Sequence, residues 1–286
     1  MFCDLHTHSV FSDGTYTPTE LIKAAKELGL SAVALTDHNT VKGLPEFMYS
    51  AKEYGVTGVA GTELSTDYGD TELHILGLFL PTTAYERIEE RVQVLKRNKE
   101  ESNRILCERL AAAGYEITFE EVKNASSAEF VNRAIIGEVL MKKGEVLMKK
   151  GYVSSIQAAF DTLLRKGGEF YVEPKRLDAL ETVAFLKGLG AAVVLAHPFL
   201  NLDEKGLRRF LDEAVPLGLD GIETRYSKYT EEQTSLSEKI AEEYGLLQSG
   251  GSDFHGSRKP GILLGVGKGN LAVPTEFYKK LKRESV

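Results

Sequence analysis

The chain has 286 residues, room for one large domain or for one barrel with an insertion. With 42% hydrophobic and 27% charged residues it has the balance of a globular fold with a sizeable core, and no apolar run approaches the roughly 20 residues of a membrane span. A net charge of −7, from 35 basic and 42 acidic side chains, argues against sequence-independent binding to duplex DNA. It leaves phosphorylated substrates open, because bound cations supply local positive charge. Cys3 and Cys107 are far apart, match no Cys-x-x-Cys spacing and fit a reducing, cytoplasmic setting. The start, Met1-Phe2-Cys3-Asp4, has neither the charged nor the apolar region of a signal peptide.

Short apolar runs alternate with amphipathic stretches, the pattern of an α/β domain with parallel strands. The first strand is expected at Phe2–His6 and runs into His6-Thr7-His8, with Asp13 following. Thr17-Pro18-Thr19-Glu20 opens a helix, with proline in the first turn and an acidic residue behind it. Leu21, Ile22, Ala25 and Leu28 recur at helical spacing, and Gly29 stops the helix. Strands are expected next at Ala32–Thr36, before Asp37-His38, and at Gly58–Thr62, before Glu63. Another, Glu72–Leu78, carries His74.

From Tyr85 to Asp178 the rhythm breaks into charged stretches of helical character, at 86–113, 119–124, 134–150 and 154–166. Residues 85–178 read as a helical cap inserted into a barrel made of 1–84 and 179–286. Strands resume at Ala192–Ala196, Gly221–Glu223 and Leu246–Ser249, with surface helices at Asp203–Val215 and Glu231–Tyr244. His197 follows the first of these strands, and Asp253 and His255 follow the last. The reading places the candidates at or just after strand C-termini, the end of a parallel barrel that collects catalytic loops.

All six histidines lie beside other possible metal ligands. Nitrogen and carboxylate donors suit manganese, zinc or iron, and nine candidates exceed what one tetrahedral ion uses. A cluster of two or three ions, of the kind that hydrolyses esters, is the natural reading. Alternation along an extended chain sends residues i and i+2 to one side, so His6 and His8 can share an ion, as can Asp253 and His255. Glu63 suits a bridge between ions, and Asp37 suits orientation of an imidazole or a water. Gly250-Gly251-Ser252-Asp253 brings backbone close to the rim. Arg133, Lys175, Arg176, Arg225, Lys228 and Arg258 fall in expected rim or cap loops, where a cation can meet a phosphate. Tyr226 reads as a cap on the core.

The ordered set His6-Thr7-His8, Thr36-Asp37-His38, Gly61-Thr62-Glu63, His74, His197-Pro198 and Ser252-Asp253-Phe254-His255 resembles the PHP superfamily, the polymerase and histidinol phosphatase domains. Asp13, in Phe11-Ser12-Asp13-Gly14, resembles the stand-alone branch of 3′,5′-nucleoside bisphosphate phosphatases and 5′–3′ exoribonucleases. The resemblance implies an α/β fold, a distorted seven-stranded barrel, with three metal ions. His6, His8, Glu63 and Asp253 would hold the first ion. Glu63, His74 and His197 would hold the second, and Asp13, His38 and His255 the third. Manganese is the first choice, with zinc or iron as alternatives. Arg133 matches the family arginine, although Asn132-Arg133-Ala134-Ile135 stands where relatives read Gly-Arg-Pro-His.

The implied activity is hydrolysis of a phosphomonoester on a small nucleotide by activated water. Asp37 or a water would supply the leaving-group proton, and Arg133, Lys175, Arg225 and Arg258 would contact substrate. The alternatives are 5′–3′ trimming of a short RNA end, a histidinol-phosphatase-like or general phosphatase, and a non-catalytic metal-dependent module. No duplex DNA, membrane or obligate protein partner is expected.

The segment Gly137-Glu138-Val139-Leu140-Met141-Lys142-Lys143 is followed at once by an identical copy, Gly144–Lys150. Seven residues are too few for a structural repeat but add about two helical turns, roughly 10 Å, so the apolar face is nearly kept. A recent duplication accounts for it without a function. Deleting either copy yields the same chain. That variant should fold and bind metal as the parent does, with changed substrate preference. Elemental analysis showing that it has lost its metal would make the segment integral to the barrel.

Overall fold

The computed structural model of the chain describes residues 2–125, 133–142, 163–165 and 167–284. The strands are β1 Phe2–Asp4, β2 Ala32–Leu35, β3 Gly58–Tyr68, β4 Thr71–Leu78, β5 Leu177–Asp178, β6 Ala192–Ala196, β7 Gly221–Tyr226, β8 Leu247–Gly251 and β9 Val273–Pro274. The helices are α1 Pro18–Glu27, α2 Leu44–Tyr54, α3 Tyr85–Ala112, α4 Phe119–Asn124, α5 Arg133–Lys142, α6 Ala179–Lys187, α7 Glu204–Ala214, α8 Glu231–Glu243 and α9 Thr275–Glu284. The heptapeptide's second copy and most of the expected helix at 154–166 lie outside the described residues.

Local chemistry sets the helix ends. Thr17 accepts from the Glu20 amide while the Glu20 carboxylate takes the Thr17 amide, a capping box worth about 1 kcal/mol. Leu21, Ile22 and Ala25 are buried, and Gly29 turns the chain at φ +66°. Asp178 and Asp203 accept from the third amides of α6 and α7, and Thr230 forms a second capping box with Gln233 at α8.

The strand order is β8-β7-β6-β4-β3-β2-β1-β9, with β5 beside β3. This corrects the expectation of purely parallel strands: β4 runs antiparallel to both β3 and β6. The cause is the two-residue link Gly69-Asp70, with Gly69 at φ +59°. So short a link cannot hold a crossover, so β3 and β4 form a hairpin. The same pairing extends β3 to Tyr68, well past the expected end at Thr62.

The far edges meet. Leu5 N donates to Gly250 O at 3.1 Å, Asp253 N to His6 O at 2.9 Å and His8 N to Phe254 O at 2.9 Å. The sheet is a nearly closed barrel. Cys3 and Leu5, Ala32 and Ala34, Leu76 and Leu78, and Ala192, Val194 and Ala196 fill its interior at every second position, joined by Leu281 of α9. Carried on, that alternation aims Glu63 inward behind Val59 and Gly61, and His74 inward ahead of Leu76 and Leu78. The opposite face packs on helices: a Cβ on Gly77 would lie 2.9 Å from Leu186 of α6. Burial pushes the Cys3 thiol up to about 12 and the Cys107 thiol up to about 11, consistent with packing roles.

The chain divides into two compact units, Met1–Glu90 with Leu177–Val286, and Arg91–Arg176. The second unit has its own core, in which Leu106, Leu110, Ile117, Val122, Ile136 and Leu164 are buried with Val139 and Leu140 of the heptapeptide's first copy. Among the described residues no helix is long and apolar enough to cross a membrane.

Candidate metal centre

One carboxylate organises the site. Glu63 has no solvent exposure, and five imidazoles surround it. Its Oε1 lies 2.8 Å from His74 Nδ1 and 3.0 Å from His197 Nε2. Its Oε2 lies 3.1 Å from His6 Nε2, 3.2 Å from His8 Nε2 and 3.0 Å from His38 Nδ1. The two oxygens thus face two different groups of nitrogens, as a bridging carboxylate must.

Asp253 and Asp13 complete the cluster. Asp253 Oδ1 lies 3.2 Å from His8 Nε2 and 3.4 Å from His255 Nδ1. Asp13 Oδ1 lies 3.2 Å from His255 Nε2 and 3.9 Å from His8 Nδ1. Two of these residues hold unusual backbone: His197 has φ +30° although a proline follows it, and Asp253 has φ +56°. Left-handed conformations cost a non-glycine residue on the order of 1–3 kcal/mol and concentrate at functional sites.

All nine expected ligands fall into four overlapping groups whose ligand atoms lie within 4.8 Å of one another. The groups are His8, Asp13, His38 and His255; His6, His8 and Asp253; His6, Glu63 and His197; and His38, Glu63 and His74. The expected trio of Asp13, His38 and His255 is together, with His8 added. His74 and His197 fall into separate groups, yet both face the same Glu63 oxygen, and that shared oxygen is the better guide to a shared ion. His8 Nδ1, Asp13 Oδ1, His38 Nδ1, Glu63 Oε2 and His255 Nε2 are buried without a hydrogen-bond partner in suitable geometry. Buried polar atoms left in that state are costly. His6 Nε2 and His8 Nε2 approach to 3.1 Å, nitrogen against nitrogen. Divalent cations among these atoms would satisfy them together, so the donor set fits more than one ion.

The electrostatics agree. Burial alone would raise the Glu63 carboxyl, but His38, His6 and His74 hold it well below its ordinary range. Burial would lower His74, but the Glu63 carboxylate outweighs this and holds it up at about 9. For His38 burial wins, helped by the like charges of His8 and His74, and brings it down to about 3. A neutral His38 keeps a lone pair for a cation. His6, His8 and Glu63 are fully buried, whereas the side chains of His38, His74 and Asp13 are 24%, 17% and 46% exposed. Solvent reaches the cluster from that side.

Surrounding residues fix the ligands. Glu223, fully buried, takes His6 Nδ1 at 3.1 Å on one oxygen and the His197 amide at 2.8 Å on the other. That aims His6 Nε2 into the cluster. The sequence reading missed Glu223; its position closing the expected strand Gly221–Glu223 was the available signal. Asp4, also missed, accepts from the amides of Ser252 and Gly265, both at 2.8 Å, and so holds the turn before Asp253.

Three expectations change. Asp37 makes no hydrogen bond to an imidazole among the described residues. It accepts from Ser9 N at 2.7 Å, Ser9 Oγ at 2.6 Å and Ser12 Oγ at 2.6 Å, fixing the loop between His8 and Asp13. Arg225 pairs with Glu238 of α8, on the helix side of its strand. Tyr226 is more than a core cap, for its hydroxyl donates to Asp253 Oδ2 at 2.8 Å and its ring lies 5.2 Å from that of His197. Burial and the Asp253 charge hold that phenol far above its ordinary range, so it remains a donor. Arg258 and Lys175 are exposed, Arg176 pairs with Glu173 at 2.7 Å, and the Arg133 side chain lies outside the described residues. Among the described residues, the side-chain ammonium found against the cluster is that of Lys259, 2.7 Å from Asp253 Oδ2.

Residues 4–183 match the family model of the PHP domain. The chain is 30% identical over 253 residues to a 5′-3′ exoribonuclease of Haemophilus influenzae, spanning 88% of this chain and 89% of the relative. It is 31% identical over 259 residues to the phosphoribosyl 1,2-cyclic phosphate 1,2-diphosphodiesterase of Eggerthella lenta, spanning 90% and 95%. It is 28% identical over 254 residues to the 3′,5′-nucleoside bisphosphate phosphatase of Chromobacterium violaceum, spanning 88% and 86%. A solved structure from Bifidobacterium adolescentis, assigned as a metal-dependent phosphoesterase, superposes with a TM-score of 0.73 at 28% identity, covering 99% and 96% of the two chains.

In chelated protein, protons must do what cations would otherwise do. His74 is held up at about 9 against an ordinary 6.5, so its stabilising contribution is full below 6.5 and lost as pH rises through 9. Glu63 is held down, so its contribution is present above about 4.5 and lost as pH falls below that. The melting temperature of chelated protein should therefore drop between pH 6.5 and 9.5, while metal-loaded protein holds level. Parallel curves for the two forms would contradict this electrostatic account.

Proposed function

The chain belongs to the PHP domain family of metal-dependent phosphoesterases, and on that premise we propose that it hydrolyses a phosphomonoester of a small nucleotide, a 3′,5′-nucleoside bisphosphate or a nucleoside monophosphate. The observation that carries the hydrolytic reading is the Glu63 carboxylate, with two nitrogens on one oxygen and three on the other. Asp13 against His255 supports the nucleotide branch, and two of the relatives described above are named for nucleotide or RNA substrates.

His6, His8, Glu63 and Asp253 would hold one ion, Glu63 with His74 and His197 a second, and His38, Asp13 and His255 a third. Such ions, with manganese the first choice and zinc or iron as alternatives, supply neutralisation of phosphoryl charge and a lowered pKa for water. The protein's own residues do the rest. Glu223 keeps His6 in one tautomer and orientation. Asp37 holds the loop that carries His8 and Asp13 in place. The phosphate would approach from the partly exposed side of His38, His74 and Asp13, with its ester oxygen toward solvent. The departing oxygen would take its proton from a water or from Asp37. Arg133, Arg258 and Lys175 would contact substrate oxygens.

A second reading is removal of nucleotides from the 5′ end of a short RNA, favoured by the 30% identity to the Haemophilus exoribonuclease across 88% of the chain. A panel of adenosine 3′,5′-bisphosphate, a 5′-phosphorylated RNA oligonucleotide, a cyclic phosphate ester and histidinol phosphate ranks the readings. The bisphosphate should give the highest kcat/KM. Preference for the oligonucleotide would install the second reading, and preference for histidinol phosphate would remove both.

Arg133→Ala should leave metal content unchanged and lower kcat/KM for the preferred nucleotide roughly ten- to a thousandfold, the effect of losing a charge-assisted contact of about 1.5–4 kcal/mol. Arg133→Lys should restore part of it, because an ammonium makes no two-pronged contact. Wild-type kinetics in both variants would move the phosphate contact to Arg258 or Lys175.

A further inference from the structure

The two oxygens of Asp253 meet different surroundings. Oδ1 faces nitrogens of the cluster, at 3.2 Å from His8 Nε2, 3.4 Å from His255 Nδ1 and 3.8 Å from His6 Nε2. Oδ2 faces away from them and is taken by two donors, the Tyr226 hydroxyl at 2.8 Å and the Lys259 ammonium at 2.7 Å. Neither donor is an accident of a mobile surface. Tyr226 is 3% exposed and is wedged between the rings of His197 and Tyr229. Lys259 returns to Asp253 because the chain reverses through Gly256, at φ +64°, and the turn Gly256–Arg258. A side chain at Gly256 would strike Thr15, so this reversal is built into the packing. The Asp253 backbone is also pinned, its amide donating to His6 O at 2.9 Å.

From this geometry we infer that Tyr226 and Lys259 are positioning residues that commit Asp253 to the metal cluster through a single oxygen. The inference rests on the metal-dependent reading above but not on any particular substrate. A carboxylate free at both oxygens can swing to grip an ion with both, or turn toward a neighbouring ion. With Oδ2 held by an uncharged and a charged donor, only Oδ1 is offered, and only toward His6, His8 and His255. Tyr226 adds a link of its own. Its ring packs against His197, a nitrogen on the Oε1 side of Glu63, with the planes tilted at 49°, while its hydroxyl holds Asp253 on the Oε2 side. One side chain thereby fixes the spacing between the two parts of the cluster.

The test is cobalt(II) binding to the full-length, metal-stripped protein, read by visible absorption and by competition with a chelator. Tyr226→Phe keeps the ring and changes no charge, so its effect reports positioning alone. It should weaken cobalt binding about tenfold and alter the cobalt spectrum, as expected when an outer partner of a ligand is lost. Lys259→Met also removes a charge that repels the ion, so it is read through coupling: Tyr226→Phe should cost more in the Lys259→Met background than alone. Lys259→Arg should restore the parent spectrum. In an Asp253→Ala background Tyr226→Phe should change neither the affinity nor the spectrum of the remaining ions. Parent-like binding and spectrum in Tyr226→Phe would overturn the inference, as would an equal loss in the Asp253→Ala background, which would mean that the phenol acts through the fold. A parent protein that binds no cobalt at all would instead bring down the metal reading beneath both.

Discussion

Glu63 is a carboxylate with no access to water, set inside a barrel among imidazoles. Removing such a charge from solvent costs several kcal/mol unless it is met by partners at close range. Five nitrogens meet it, from residues in four separate stretches of chain: His6 and His8, His38, His74, and His197. Burial brings His38 down to about 3, so that imidazole keeps its lone pair free. The centre of the barrel is therefore a place where a buried negative charge and a free lone pair meet, and where cations would complete the balance.

Much of the surrounding architecture reads as support for that arrangement. The β3–β4 hairpin brings Glu63 opposite Leu76 and His74 opposite Ser65, positions two apart in one antiparallel pair and so on the same face. Closure of the barrel between the end of β1 and the segment after β8 sets His6 and His8 beside Asp253. Glu223, Asp4 and Asp37 each spend a buried carboxylate on holding a ligand or its loop. The left-handed backbone at His197 and Asp253 is held against its own cost by these bonds. The buried carboxylates around the site thus divide into those that face the cluster, Glu63 and Asp253, and those that hold its ligands and loops, Glu223, Asp4 and Asp37.

The share of this that could be read from the sequence follows from how local each signal is. His6 and His8 declare themselves, because two residues apart on an extended strand means one side. The Thr17 capping box and Gly29 bound α1 by contacts within four residues. Glu63 was recognisable as a candidate, but its central position was not, since it depends on which face of a long hairpin strand turns inward. The turn Gly69-Asp70 was visible between two alternating runs, yet it was read as part of a parallel pattern, and the direction of β4 was lost with it. Arg225 and Asp37 show the limit for charged residues. A charge in a rim loop looks the same whether it meets substrate, as Arg225 was expected to do, or a partner such as Glu238. Lys259 and Tyr226 reach Asp253 across 6 and 27 residues, and Glu223 reaches His6 across 217, where no spacing rule applies.

The central claim is that Glu63 would hold cations through both of its oxygens, which face different nitrogens. Crystals grown with manganese and measured at a wavelength where manganese scatters anomalously test it directly. The account predicts at least two anomalous peaks at the Glu63 carboxylate, one on the side of His74 and His197 and one on the side of His6 and His8. A single peak remote from Glu63, or a fully active protein with no peak in the cluster, would contradict it.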